Sequence, residues 1–107
     1  ISGNDDGREG YPTGPVTPGG ALDRLLERYD NLYCDLSARS GYNALTRDPD
    51  FTQGFVARHW RRLLFGTDIV FPGDALPIIG WLRSFDVGAE VREAIGSGNA
   101  RRVLGLA

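Results

Sequence analysis

The sequence predicts an α/β fold, and three observations carry that reading. Two short apolar runs, residues 32–37 and 62–65, are strand-like, and each follows a stretch with helical spacing. The roughly 25 residues from Ser37 to Leu63 leave room for the helical crossover that parallel pairing requires. The second run, Arg62-Leu63-Leu64-Phe65, has lost the in–out alternation of a half-exposed strand, as an inner parallel strand does when both faces are covered. It closes on Gly66-Thr67-Asp68, which sets a carboxylate at a strand's carboxyl end.

Taken in order, the chain begins with a loop. Residues 1–19 are rich in Gly and Pro and include Asn4, Asp5 and Asp6, a composition that makes turns. A loop of this length is uncommon inside a compact domain. From Gly20, apolar Ala21, Leu22, Leu25, Leu26 and Tyr29 recur at helical spacing, with Asp23, Arg24, Glu27 and Arg28 expected to face outward. The first strand, 32–37, follows. Residues 38–49, with Arg39, Ser40, Gly41, Tyr42, Asn43 and Arg47, read as a second loop, and Asp50 as the N-cap of a helix whose apolar face is Phe51, Phe55, Val56 and Trp60.

Beyond Asp68, a short loop through Phe71-Pro72-Gly73 leads to Asp74 as a predicted cap. A helix then turns Leu76, Ile79, Leu82 and Phe85 to the core, with Pro77 in its first turn, where a missing N–H is tolerated. Residues 88–95 and 98–104 read as two further short helices, with Arg101 and Arg102 complementing the dipole of the last. Two parallel strands alone leave both outer edges open. Partner strands are therefore expected from a part of the chain not included here or from a second copy, as a homo-oligomer.

Composition narrows the function. The formal charge of -2 excludes the basic surface on which nucleic-acid binding depends, and no run approaches the roughly 18 apolar residues of a membrane span. The sequence has no Met and opens on Ile1-Ser2-Gly3, which reads as a piece of a longer chain or a processed product. All 12 basic residues are Arg, a bias of genome composition more than a functional choice. The single cysteine, Cys34, has no internal disulfide partner and reads as core filling, which fits a reducing, cytoplasmic compartment.

Three segments together resemble a known family. Asn31-Leu32-Tyr33-Cys34-Asp35-Leu36-Ser37, Arg62-Leu63-Leu64-Phe65-Gly66-Thr67-Asp68 and Gly98-Asn99-Ala100-Arg101-Arg102-Val103-Leu104-Gly105-Leu106 resemble, in order, the closing segment of amidohydrolase-superfamily proteins of the amidohydrolase-related branch. That family's fold is a (β/α)8 TIM barrel. The resemblance therefore implies that residues 1–107 are the C-terminal part of one amidohydrolase-like domain: the last two parallel strands with flanking helices within 20–68, then a loop and C-terminal helices over 69–107. Barrel active sites lie at the carboxyl ends of the strands. Asp68 would match the family's aspartate that approaches a divalent metal, zinc by expectation, and takes the proton of the attacking water.

The resemblance implies a metal-dependent hydrolase of a small molecule with an amide, ester or lactone-like bond, or a non-oxidative decarboxylase of the same superfamily. Asp35, Ser37 and Arg39 follow the other strand and would contact substrate, Arg39 by clamping a carboxylate; Phe71 would line the pocket. The chain departs from the family in holding one histidine, His59, which stands on the helix before the second strand as a surface or helix-to-barrel contact and matches no ligand position. A catalytic zinc takes about three protein ligands, so the isolated chain is expected to bind no metal and to be inactive. The reading from another class is a non-catalytic α/β fragment that self-associates through its open strand edges.

Overall fold

The computed structural model describes residues 1–4 and 10–106; the expected turns at Asp5 and Asp6 lie outside them. The architecture is α/β, with two short parallel strands between helices. In chain order these are α1 (Ala21–Arg28), β1 (Cys34–Asp35), α2 (Ala38–Thr46), α3 (Pro49–His59), a 3-10 turn (Trp60–Arg62), β2 (Leu63–Leu64), α4 (Pro77–Ser84), α5 (Ala89–Glu93), a π turn (Ala94–Gly98) and α6 (Asn99–Val103). Cys34 pairs with Leu63 and Asp35 with Leu64, and the Leu36 N–H extends the ladder to the Leu64 carbonyl at 2.9 Å. Both strands are shorter than the apolar runs that predict them.

The core gathers on the strands from every side: Leu26 of α1, Leu36 after β1, Leu45 of α2, Phe55 and Val56 of α3, Leu63 of β2, Ile78 and Trp81 of α4, and Ile95. Residues 10–20 hold no helix or strand, as their Gly and Pro content predicts. They are strapped down all the same. Arg47 Nε donates to the Gly14 carbonyl at 3.0 Å, Asn43 Nδ2 to the Pro12 carbonyl at 2.8 Å, and the Val16 N–H to Asp48 Oδ2 at 2.9 Å.

Several expectations are corrected. Residues 38–46 form α2 and not a loop; its low intrinsic propensity is overridden by tertiary packing of Leu45 and Tyr42 on the core. Gly41 permits that packing, because a β-carbon there would run into the Leu36 carbonyl. The cap of α3 is Asp48, whose Oδ1 accepts from the Phe51 N–H at 3.1 Å, and not Asp50. Pro49 takes the first helical position, which sets the cap one residue earlier. In α4 the N-cap position belongs to Leu76, while the Asp74 N–H closes a turn onto the Phe71 carbonyl; Ile78 and Trp81 are its buried residues, with Ile79, Leu82 and Phe85 packed alongside.

The inner face of α1 is also rotated. Asp23 is buried, whereas Leu25 and Tyr29 are exposed. The cause is His59, 2% exposed, whose Nε2 lies 2.6 Å from Asp23 Oδ1, while Arg58 Nη2 donates to Asp23 Oδ2 at 2.7 Å. His59 is thus a buried interhelical contact, with its ring edge-on to Phe55, and not a surface residue. The two predicted terminal helices form one run, carried through Gly96-Ser97-Gly98 by the π turn. Arg102 donates to the Arg61 carbonyl at 2.5 Å and to Asn99 Oδ1 at 3.2 Å, so it ties α6 to the start of β2.

The outer edge of β2 is not open as expected. The Phe65 N–H donates to the Ile95 carbonyl at 3.0 Å, and the Leu63 carbonyl accepts from Asn99 Nδ2 at 2.9 Å. Cys34 packs beside the core, and burial, with the neighbouring Asp35 carboxylate, pushes its thiol pKa up, which disfavours the reactive thiolate.

Candidate functional site

At the carboxyl ends of both strands the backbone does something found nowhere else among the described residues. Ala38 and Asp68 are the two non-glycine residues with positive φ, 67° and 54°. An L-residue pays about 1–2 kcal/mol for left-handed backbone, with Asp and Asn the most tolerant. Such conformations concentrate where a site needs a side chain re-aimed. Both residues line a single cleft of about 320 Å³.

That cleft brings together Arg39, Thr67, Asp68, Phe71, Asp74 and Tyr11. Asp68 and Arg39, predicted from opposite strands, therefore share one space. Each is exposed, and neither side chain makes a hydrogen bond or ion pair among the described residues. A carboxylate and a guanidinium held ready but unspent can take an exchangeable proton and an anionic group respectively. Phe71, 56% exposed, lines the cleft as the sequence suggests.

Asp35 and Ser37 stand beside this cleft and not in its lining. Asp35 Oδ1 accepts from the Ser37 N–H at 2.8 Å, an Asx turn that ends β1 and sets up the left-handed Ala38. Gly66 makes room for that turn, since a β-carbon there would lie 3.1 Å from both Asp35 Oδ1 and Ser37 Cβ. The chain leaving the two strands therefore approaches closely because a glycine, Gly66, stands just after β2 where they meet. Asn43 and Arg47, which share the segment after β1, turn away to serve the 10–18 strap, and Tyr42 packs beside the core.

Sequence reasoning missed Tyr11 and Asp74. Tyr11 sits in a Gly/Pro-rich stretch with no local signal, and reaches the cleft because the strap is tied to α2 and to the α2–α3 junction. Asp74 reads locally as a cap, and its placement in the cleft depends on the Phe71–Asp74 turn.

No group of three or more His, Cys, Asp or Glu side chains suited to a metal ion occurs among the described residues. The carboxylates of the cleft are Asp68 and Asp74, and His59 is committed to Asp23. This donor set falls short of the three protein ligands of a catalytic zinc, so these residues do not hold such an ion by themselves. No helix among the described residues is long and apolar enough to cross a membrane.

In comparison with known proteins, the family model described as amidohydrolase matches residues 21–106. That covers α1 to α6 and both strand ends, and leaves out the strap. No curated protein and no solved structure matches the chain.

Proposed function

Because the chain belongs to the amidohydrolase family, we propose that it is the C-terminal part of a (β/α)8-barrel hydrolase, with β1 and β2 as the last two strands. Its substrate is a small molecule with an amide, ester or lactone-like bond. The observation that carries this reading is the meeting of Asp68 and Arg39 in one cleft at the carboxyl ends of parallel strands, the end at which barrel enzymes do chemistry. Asp68 is the general base, and Arg39 grips an anionic group of the substrate. Asp35 and Ser37 shape the approach to it by fixing the turn after β1.

A divalent metal, zinc by family expectation, is the cofactor of the whole hydrolase. Asp68 is the one ligand to it that we assign to this chain, and the cleft's donor set does not complete a site. The 107-residue chain is accordingly proposed to be inactive alone. A free Cys34 fits the cytoplasm as its compartment.

The test is Asp68→Asn in the full-length protein. Turnover is expected to fall by about 10²-fold or more, with circular dichroism and thermal midpoint unchanged. Undiminished turnover in a folded variant would remove Asp68 from the mechanism. Arg39 in the same cleft also favours a second reading, non-oxidative decarboxylation, in which the guanidinium holds the departing carboxylate. Measuring carbon dioxide release beside hydrolysis on carboxylated substrates separates the two.

A further inference from the structure

Arg39, Asn43 and Arg47 stand at every fourth position, so they form one row along α2 and its C-cap. The first of the row lines the cleft. The other two hold the strap by its backbone. Asn43 Nδ2 donates to the Pro12 carbonyl at 2.8 Å, and Arg47 donates to the carbonyls of Thr13 at 3.4 Å, Gly14 at 3.0 Å and Pro15 at 3.4 Å. Every carbonyl from Pro12 to Pro15 is thus taken up by this row, and the Val16 N–H adds a further tie to Asp48 Oδ2. The helix face that carries the cleft's guanidinium therefore also fixes the course of the strap.

What the strap brings to the cleft is Tyr11. Its backbone is held by the bond from Asn43 to the next residue, Pro12, and a residue before proline is confined to extended conformations. Its ring is left unused by the fold. Tyr11 is 56% exposed, stands apart from the core, and makes no hydrogen bond or ring contact among the described residues. Phe71 reaches the same cleft from the loop after Asp68, and its ring is equally free of ring contacts among the described residues.

We infer that Tyr11 is a specificity-determining residue of this cleft, that Asn43 and Arg47 are its positioning residues, and that the site selects a carboxylate whose body is a flat ring. The inference rests on the reading of Arg39 as the grip on an anionic group. With the carboxylate held there, the rest of the substrate lies among the rings of Tyr11 and Phe71. An aromatic face gives a flat ring offset or edge-on contacts beyond plain burial, worth roughly threefold to tenfold in affinity. A puckered ring of the same size gains burial alone. Because the strap is tied down before substrate arrives, binding does not bear the cost of ordering it. Tyr11 enters at the carboxyl ends of the strands, where the loops of a barrel build its site, so the assignment suits the whole domain.

The test is ligand-observed NMR on the full-length protein with benzoate and cyclohexanecarboxylate, which carry the same carboxylate on rings of the same size and differ in flatness. The readout needs no turnover, so it is independent of the role of Asp68. The parent is expected to prefer benzoate by about 3- to 10-fold. Tyr11→Leu, which keeps apolar bulk without the ring face, is expected to lose most of that preference, and Tyr11→Phe to keep it. Tyr11 is exposed and unbonded, so neither change disturbs the fold. Arg47→Ala, which loosens the strap, is expected to lose part of the preference by weakening benzoate; Asn43→Ala takes its place should Arg47→Ala fail to fold. A parent with no preference, or a Tyr11→Leu variant that retains it, overturns the inference, and full preference in the folded strap variant overturns the positioning role. Arg39→Gln separates this inference from the reading beneath it. If benzoate affinity is indifferent to Arg39→Gln while the preference still falls with Tyr11→Leu, the grip assigned to Arg39 fails and the role of Tyr11 stands.

Discussion

At the amino end of the strand pair, polar side chains are drawn inside and bonded: Asp23 to His59 and Arg58, Asn99 to Trp60, Leu63 and Arg102. At the carboxyl end, Asp68 and Arg39 stay exposed and unbonded among the described residues, on backbone that turns left-handed at Ala38 and Asp68. What differs is whether the polar groups are spent on the fold. The amino end uses them as interhelical ties, so its residues should govern stability. The carboxyl end holds them in reserve, so its residues should govern chemistry and be nearly neutral to folding.

The sharpest way to break this comparison is Asp23→Ala. It leaves His59 Nε2 without its partner in a site 2% exposed to solvent, and an orphaned buried polar group costs about 1–3 kcal/mol. The Arg58 contact adds little, because that guanidinium is 42% exposed. We expect a loss of about 2 kcal/mol, read as a fall of roughly 10 °C in thermal midpoint for a chain of this size. Asp68→Asn in the same chain should stay within about 0.5 kcal/mol of the parent. Equal losses at Asp23 and Asp68 would abolish the division between the two ends.

Between the ends lies Asp48, which joins the 10–18 strap to the start of α3. Backbone N–H donors from Val16 and then Phe51 hold its carboxyl below the usual carboxylate range. A folded-state pKa lowered in this way adds stability that is complete above the ordinary Asp value of about 4, and that fades as pH falls through the folded value. Asp48→Asn keeps one acceptor for the cap but removes the titration. The drop in urea midpoint between about pH 7 and about pH 3 should therefore be smaller in Asp48→Asn than in the parent, with the pH interval chosen to bracket the free Asp pKa. An unchanged drop would mean that Asp48 is not among the carboxylates that tie stability to acid.

How much of this was legible in the residues follows the same division. The α/β class, the parallel pairing and the approach of Asp68 to a strand end are local consequences of apolar runs, crossover length and a Gly-Thr-Asp stop. The burial of Asp23 was not legible, because an Asp at a helical position reads as solvent-facing until a histidine 36 residues away claims it. The helix at 38–46 was hidden by Ser40, Gly41 and Asn43, whose weak propensity is outweighed by Leu45. The closed edge of β2 depends on Asn99 donating across 36 positions to Leu63, and no periodicity records such a bond. What local pattern could not reach was, at Asp23 and Asn99, a polar group satisfied by a distant partner, and at 38–46 a helix held by the burial of Leu45.

The smallest effect tests the carboxyl end from the other direction. Ala38 holds φ of 67° at the start of α2, and Ala has no side-chain hydrogen bond to offset the roughly 1–2 kcal/mol that left-handed backbone costs an L-residue. Ala38→Gly removes that cost but adds about 0.5–1 kcal/mol of chain entropy to be lost on folding. The balance favours the glycine variant by about 0.5–1 kcal/mol, the difference of those two terms, a rise in urea midpoint at unchanged m-value. If Ala38→Gly instead lowers the midpoint, the left-handed turn is not strained, and the backbone at this end of the strands carries no stored cost that a site would explain. A gain in stability would mean that the chain keeps a destabilising residue beside Arg39 and Asp68, as expected where backbone is shaped for chemistry.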